Sequence, residues 1–411
     1  MRLNTKAFGV LLSLALVAAC SGGSQWTGTV TDSAGVTIVT NTAEGTWTEA
    51  ERWTLEEEIR IGSVEGDLNY QFGQVGTIGV DSKGALYVSD IQAQQIKVYS
   101  VDGGFLRTIG RPGAGPGELG PGAAFVLLAP GDTLLVPDIQ NRRINRYAPD
   151  GTNLESVPLE VEKGIPMQYN VTPTGTMTVQ VRPLALPDRP VPDSVDAIVI
   201  LQPSGTFADT IFKLPSGGTI NLGGSTPELN LFSPEPLWDV TDSLTVLYGM
   251  NNDYRIGMYD RDGSLERVFS KPFEQTQVGD RDKELIFSFL DRAWTDAGVP
   301  PAVLPQLHNI VHFGEFYPAF SSFQTGYRGT IWVQQIQLPT DLTDEEMEQF
   351  NLIEESGSPD WDVFDGDGKY LGVVTMPSRF QPRILLGDKI YGVWRDELDV
   401  QYVMRLRIVE G

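Results

Sequence analysis

The stretch LYVSDIQAQQIKVYSVDG, residues 86–103, is matched in register by LLVPDIQNRRINRYAPDG, residues 134–151, at an offset of 48 residues. In both stretches two runs rich in apolar residues flank a polar turn, and both end on an Asp-Gly pair. Self-similarity at a fixed spacing of this length is typical of repeat architectures, in which each unit buries its apolar faces against its neighbours. The rest of the chain should therefore contain further copies.

The second apolar run of this unit recurs five times. An apolar residue lies seven positions before each of five turn glycines, in the pairs Ile96 and Gly103, Ile144 and Gly151, Ile198 and Gly205, Ile256 and Gly263, and Trp361 and Gly368. The position two residues later is also apolar, except for Arg146 in the second copy. These segments are predicted to be equivalent strands that end in the same kind of turn.

An upstream hairpin occurs six times, each time as a turn before a β-branched or aromatic run. The copies are residues 84–88, 131–136, 175–179, 242–246, 329–333 and 387–391. Six units of about 48 to 58 residues, rich in turn glycines, predict an all-β fold, a six-bladed β-propeller. A β-sandwich offers no reason for so long a period.

A seven-bladed ring is the alternative, because Gly263 and Gly368 are 105 residues apart, about two periods. Residues 280–294 and 302–313, however, carry apolar side chains at helical spacing. We therefore interpret residues 274–317 as a helical insertion between blades 4 and 5.

The first repeat resembles the NHL repeat. It has a D-x-x-G turn at residues 81–84, then L-Y-V at 86–88, Asp90, I-x-V-Y at 96–99 and F-L-R-T-I-G at 105–110. The resemblance is to bacterial lipoproteins with six-bladed NHL-type propellers, and it implies a ring closed by pairing of the N- and C-terminal strands. Residues 27–40 and 402–409 are the expected closing pair, which would also cover exposed strand edges.

The N-terminus resembles a bacterial lipoprotein signal. Arg2 and Lys6 precede an apolar run at residues 7–19, and small residues lead to Cys20, the only cysteine of the chain. Acylation would give this unpaired thiol of an exported protein a role. We therefore expect a signal peptide at 1–19, a lipidated tether at 20–26 with Cys20 as the attachment site, and the propeller at 27–411. This implies an envelope protein held at a membrane, with outer-membrane sorting as the expectation.

The charge argues against nucleic acid as a partner. The chain has 30 Lys and Arg against 54 Asp and Glu, a formal net charge of −24, which opposes attraction to phosphate backbones. Long connections lie only between second and third strands or between blades, so they share one rim of a propeller. We expect that rim to bind a peptide, glycan or protein partner.

Polar residues that follow second strands or begin third strands are the candidate binding residues of this rim. They are Asp90, Asp138, Arg142, Arg143, Asp253, Tyr254 and Arg255. The two aspartates, at equivalent repeat positions, fit a loop-capping role. The arginines could receive an anionic ligand or pair internally.

No catalytic motif is recognisable, and the prediction is a binding module without a cofactor. His308 and His312 are four residues apart and weak metal candidates, if one helix carries both. The alternative function is a calcium-dependent hydrolase or lyase of the lactonase or esterase propeller type, with a metal ion held in the central channel by scattered side chains.

Overall fold

The fold is built from antiparallel hairpins, many of which turn at a glycine. The structure is a computed structural model that describes residues 25–160, 164–183, 195–215, 228–343, 346–347 and 357–411. The five predicted turn glycines have φ values of 78° to 89°, a left-handed conformation that side chains disfavour. The strands they end are antiparallel to the next strand in each case. The predicted repeats are therefore the hairpins of the structure.

The N-terminal segment contributes three strands, and blades 1 to 3 contribute four each, given from the channel outward. The first three are β1 (Thr29–Ser33), β2 (Val36–Thr40) and β3 (Thr54–Ile61). Blade 1 has β4 (Val75–Val80), β5 (Leu86–Asp90), β6 (Gln95–Tyr99) and β7 (Phe105–Ile109). Blade 2 has β8 (Leu127–Ala129), β9 (Thr133–Asp138), β10 (Arg143–Tyr147) and β11 (Val157–Pro158). Blade 3 has β12 (Ile165–Val171), β13 (Met177–Arg182), β14 (Val195–Leu201) and β15 (Phe207–Pro215).

The second half of the ring contains the insertion. Strand β16 (Leu229–Leu231) precedes blade 4, which has β17 (Pro236–Val240), β18 (Val246–Met250), β19 (Arg255–Tyr259) and β20 (Leu265–Ser270). The predicted insertion follows with α1 (Asp280–Asp296), α2 (Leu304–His308) and β21 (Val311–Phe313). Blade 5 has β22 (Ser322–Thr325), β23 (Ile331–Ile336), β24 (Gly357–Phe364) and β25 (Tyr370–Thr375). Blade 6 has β26 (Phe380–Leu386), β27 (Lys389–Arg395) and β28 (Gln401–Val409), with β3 outermost.

Apolar clusters between neighbouring blades hold the ring together. The cluster between blades 1 and 2 contains Tyr87, Ile96 and Tyr147, each at most 1% exposed. Five equivalent clusters fill the remaining interfaces, and the last joins Tyr391 of blade 6 to Leu86 of blade 1. Six interfaces confirm the six-bladed β-propeller, since a seventh blade would need its own cluster.

An N-terminal strand closes the ring, as the fold prediction requires, but the strand differs from the expected one. β3 pairs with β28, with Arg405 opposite Ile59 and Val409 opposite Thr54. Residues 27–40 do form a strand, turn and strand, yet β2 pairs in parallel with β20 and extends blade 4 instead. The expected closing pair of 27–40 with 402–409 was therefore wrong, because the following strand lies on blade 6.

Candidate functional site

The inner strands of the six blades enclose a central channel with a volume of about 820 Å³. This volume lies within the range of ligand pockets in proteins. Each inner strand runs from a blade-to-blade connection to a tight turn. The channel therefore joins a loop-rich rim, formed by connections between blades and between second and third strands, to a tight-turn rim, formed by the other turns.

Three inner strands are irregular where they line the channel. The register of β12 shifts at Met167, that of β26 shifts at Arg383, and that of β4 shifts between Val75 and Ile78. An extra residue of this kind re-aims side chains and is common beside functional sites. Met167, at the shift in β12, is 39% exposed.

The described channel wall carries one carboxylate, that of Asp239. Its Oδ2 accepts a hydrogen bond of 2.5 Å from the backbone N–H of Thr325, and its Oδ1 accepts one from the Asn170 side chain. Burial raises the pKa of Asp239 to about 6, although these donors and the backbone N–H of Val240 favour its charged form. The carboxylate is thus committed to joining blades 3, 4 and 5.

Four glutamine side chains on the channel wall have carboxamides that bond to no other described residue. They are Gln74, Gln168, Gln324 and Gln381, from blades 1, 3, 5 and 6. The Phe125 and Tyr169 rings also line the wall, with centroids 4.7 Å apart. Among the described residues the buried Tyr169 hydroxyl has no hydrogen-bond partner, and burial raises its pKa. The wall therefore offers uncharged hydrogen-bonding groups beside aromatic surface.

Three long connections pack against each other on the loop-rich rim, over blades 3 to 5. β16, from the link between blades 3 and 4, pairs in parallel with β21 of the insertion. Ile286 and Leu290 of α1 pack with Val311 and with Met347, from the second-to-third connection of blade 5. The Arg292 guanidinium donates to the Met347 carbonyl at 3.3 Å. We call this layer the cap.

Asp90 and Asp138 have the predicted loop-capping role. Asp90 is 2% exposed and accepts from the backbone N–H groups of Gly73, Gln74 and Ala93. Asp138 is fully buried and accepts from the backbone N–H groups of Gly120 and Asn141, and from the Asn141 side chain. Both carboxylates fix connections of the loop-rich rim.

The two predicted arginines of blade 2 behave differently. The Arg143 guanidinium donates to the carbonyl oxygens of Ala114, Gly115 and Glu118, at 2.8 to 2.9 Å. It therefore organises the connection at residues 111–122. Arg142 is exposed, with a φ of 50°.

The three candidate binding residues of blade 4 also differ in their surroundings. Tyr254 is 4% exposed, and its hydroxyl donates to Oδ2 of the buried Asp362 at 2.6 Å. Lys271 lies 2.7 Å from Oδ1 of the same carboxylate, so the group joins blades 4 and 5. Asp253 and Arg255 are exposed. The predicted rim residues thus lie on blades 1, 2 and 4 and do not form one cluster.

The two histidines do not share a helix. His308 ends α2, where its Nε2 lies 2.7 Å from Oδ1 of Asp291, while His312 is an exposed residue of β21. In the described ranges there is no group of three or more His, Cys, Asp or Glu side chains placed to hold a metal ion. The prediction that one helix carries both histidines was wrong, because α2 ends at His308.

The described wall also does not fit a resident calcium ion. Calcium takes six to eight oxygen ligands, with carboxylates among them. Asp239 supplies the one carboxylate there, and both of its oxygens already accept hydrogen bonds. The described wall therefore lacks the carboxylates of a calcium site.

The signal peptide at 1–19, Cys20 and the start of the tether lie outside the described residues. The described chain begins beside Trp26, whose Nε1 donates to Oδ1 of Asn41 at 2.9 Å. The Lys369 ammonium lies 5.5 Å from the centroid of the same ring. Because Lys369 belongs to a third-to-fourth strand turn, the chain enters at the tight-turn rim. Among the described helices, none has the length and apolar character needed to cross a membrane.

The chain matches no protein-family model and no curated protein sequence. Its fold is similar to that of a member of the DUF4221 family from Bacteroides vulgatus, at 11% identity and a TM-score of 0.53, over 88% of this chain and all 100% of that one. A Bacteroides fragilis protein named as exported gives 12% identity and a TM-score of 0.49, over 91% of this chain and 100% of that one. A virginiamycin B lyase from Staphylococcus aureus gives 11% identity and a TM-score of 0.42, over 87% of this chain and 100% of that one. Likeness at such identities concerns the fold alone.

Sequence reasoning did not find the channel glutamines or Asp239. Inner strands carry the weakest repeat signal, and a register shift such as that at Arg383 leaves no trace in residue type. A Gln before or within the inner strand of blades 1, 3, 5 and 6 was the one available signal.

Proposed function

We propose that this protein is an exported, lipid-anchored β-propeller of the bacterial cell envelope that binds a peptide, glycan or protein partner through its loop-rich rim, without catalysis. Cys20 is the proposed attachment site, and the outer membrane is the proposed location. The signal-like N-terminus supports export and anchoring.

The cap is the single observation that carries the binding role. Three connections that are distant in sequence share one apolar core and one parallel strand pair, which ring closure does not need. Elaboration confined to one face of a repeat architecture is typical of its binding face. The capping aspartates, Asp90 and Asp138, also hold connections of this rim in fixed conformations.

The point at which the chain enters the ring supports an orientation in which the loop-rich rim faces away from the membrane. Trp26 lies beside the turn that contains Lys369, on the tight-turn rim. A lipid anchor only six residues upstream at Cys20 reaches roughly 20 Å at most, so it would keep that rim near the membrane. The loop-rich rim would then face away from the bilayer, toward soluble or surface partners.

Photo-crosslinking in cells tests this proposal. A photoreactive amino acid at Leu398 or Ile139, 75% and 39% exposed on the loop-rich rim, is compared with one at Val101, 42% exposed in a tight turn of blade 1. We expect specific adducts from the first two positions and none from Val101. Adducts from Val101 alone would contradict the proposal.

A further inference from the structure

We infer that the central channel binds a neutral oligosaccharide along its axis. The inference rests on the proposed function, since the channel reaches the loop-rich rim and its ligand would be the glycan or part of the partner bound there. It concerns a different set of residues from the rim connections, so the two can be tested separately.

The unpartnered carboxamides are the first argument. Gln74 and Gln381 lie near the loop-rich end of their inner strands, and Gln168 lies further along. Gln324 is next to the last residue of β22, close to the tight-turn rim. Each carboxamide offers two N–H donors and one acceptor oxygen, which complements sugar hydroxyl groups that both donate and accept. The four groups are spread along the channel, so they favour an extended ligand over a single compact one.

The length of the channel agrees with such a ligand. The longest inner strands, β12 and β26, have 7 residues each, which at a rise of about 3.3 Å per residue gives roughly 23 Å as the upper limit of the depth. A volume of about 820 Å³ over that depth describes a long, narrow site.

The charge of the wall argues for a neutral ligand. Asp239 already accepts hydrogen bonds from Asn170 and Thr325, and Arg383 supplies the one cationic side chain of the described wall. A polyanion or polycation would lose its hydration without matching charges in the channel. A neutral polyol exchanges water for amide groups at much lower cost.

Aromatic surface completes the site. The Phe125 and Tyr169 rings, from the connection before β8 and from β12, line the wall between blades 2 and 3. Such rings pack well against the C–H faces of pyranose units.

The test is isothermal titration of the purified protein with maltohexaose, cellohexaose, xylohexaose and chitohexaose, and with hexagalacturonate as the charged comparison. The variants Q168M and Q324M keep the side-chain volume and remove the carboxamide. Q140M is the matched control, because Gln140 is exposed on the loop-rich rim and does not line the channel. We expect at least one neutral hexasaccharide to bind the wild-type protein. Its affinity should be about tenfold lower for Q168M and Q324M and unchanged for Q140M.

Two results would overturn the inference. One is that no neutral hexasaccharide binds, or that hexagalacturonate binds more tightly than all of them. The other is equal affinity in the wild-type protein and in both channel variants, each first shown by its melting curve to be folded. If the channel binds no sugar but photo-crosslinked adducts still form at the loop-rich rim of Q168M, the inference is wrong and the proposed function is retained. Sugar binding without rim adducts would separate the two in the opposite direction.

Discussion

The backbone N–H of Thr325 donates a 2.5 Å hydrogen bond to Oδ2 of Asp239, and this bond joins the inner strands of blades 5 and 4. Asn170, from the inner strand of blade 3, donates to the other carboxylate oxygen. A single buried side chain thus connects three consecutive blades at the channel wall. The polar contact supplements the apolar clusters between these blades.

This carboxylate should make stability depend on pH. Burial raises the pKa of Asp239 from 3.8 to about 6, so the folded protein holds the proton more tightly than the unfolded chain. The stability that the group contributes is therefore complete below the unfolded value and is lost as the pH rises through about 6. A shift of about two pKa units corresponds to roughly 3 kcal/mol.

Urea unfolding of the wild-type protein and D239N at about pH 4 and about pH 7.5 measures the effect. We expect the free energy of unfolding of the wild type, relative to D239N, to fall between the two pH values by up to that amount. Other titrating groups cancel in the difference. A difference that stays constant or rises with pH would contradict this assignment.

Ring closure by β3 gives a second prediction. Ile61, 2% exposed, packs in the cluster between blades 6 and 1, whereas Val30 of β1 is 51% exposed. I61A should lower the free energy of unfolding by about 2 to 4 kcal/mol, because it leaves a cavity at the closing interface. V30A should change it by less than about 0.5 kcal/mol. A larger loss for V30A in denaturant unfolding would indicate that the N-terminal hairpin closes the ring.

The loop-capping role of Asp138 gives a third prediction. D138A removes a buried acceptor from the backbone N–H groups of Gly120 and Asn141, so we expect a loss of about 2 kcal/mol in the free energy of unfolding. D102A, at an exposed aspartate of a blade 1 turn, is the matched control and should stay within about 0.5 kcal/mol. Unchanged stability of D138A would contradict the loop-capping role.

The sequence predicts the ring well because the repeat signal lies in its most buried strands. Ile96, Ile144, Ile198 and Ile256 are fully buried at the predicted register positions, and Trp361 is 3% exposed. Side chains buried between two blades on both faces leave few alternatives, and each third-to-fourth strand turn needs a left-handed residue. These constraints leave a visible pattern of residue types.

The closing strand and the channel leave no such pattern. β3 reads TLEEEIRI, in which three consecutive glutamates hide the alternation of an outer strand. Glu58 is held there by Lys389 and Arg405, at 2.7 and 2.8 Å. Burial raises the pKa of Glu58, but these two cations outweigh it and the net shift is downward. Such long-range pairs are set by tertiary contact, which a single sequence does not reveal.

Lipid anchoring at Cys20 is the fourth prediction. In cells, the wild-type protein should sediment with the membrane fraction and carry a diacylated N-terminal cysteine by mass spectrometry. C20S should lose the acyl groups and move to the soluble envelope fraction, because the charge of −24 gives it no attraction to anionic lipids. A C20S protein that remains on the membrane after residues 1–19 have been removed would contradict the anchor.

The central claim, that the ring binds a partner and does not hydrolyse a substrate, is tested most directly by metal analysis of the purified protein together with thermal melting with and without chelator. A metal bound only by the folded protein would raise the melting temperature by mass action. We predict no stoichiometric metal, the same melting temperature in both samples and no hydrolysis of lactone or ester substrates. Stoichiometric calcium whose removal lowers the melting temperature, together with calcium-dependent lactone hydrolysis, would contradict the claim.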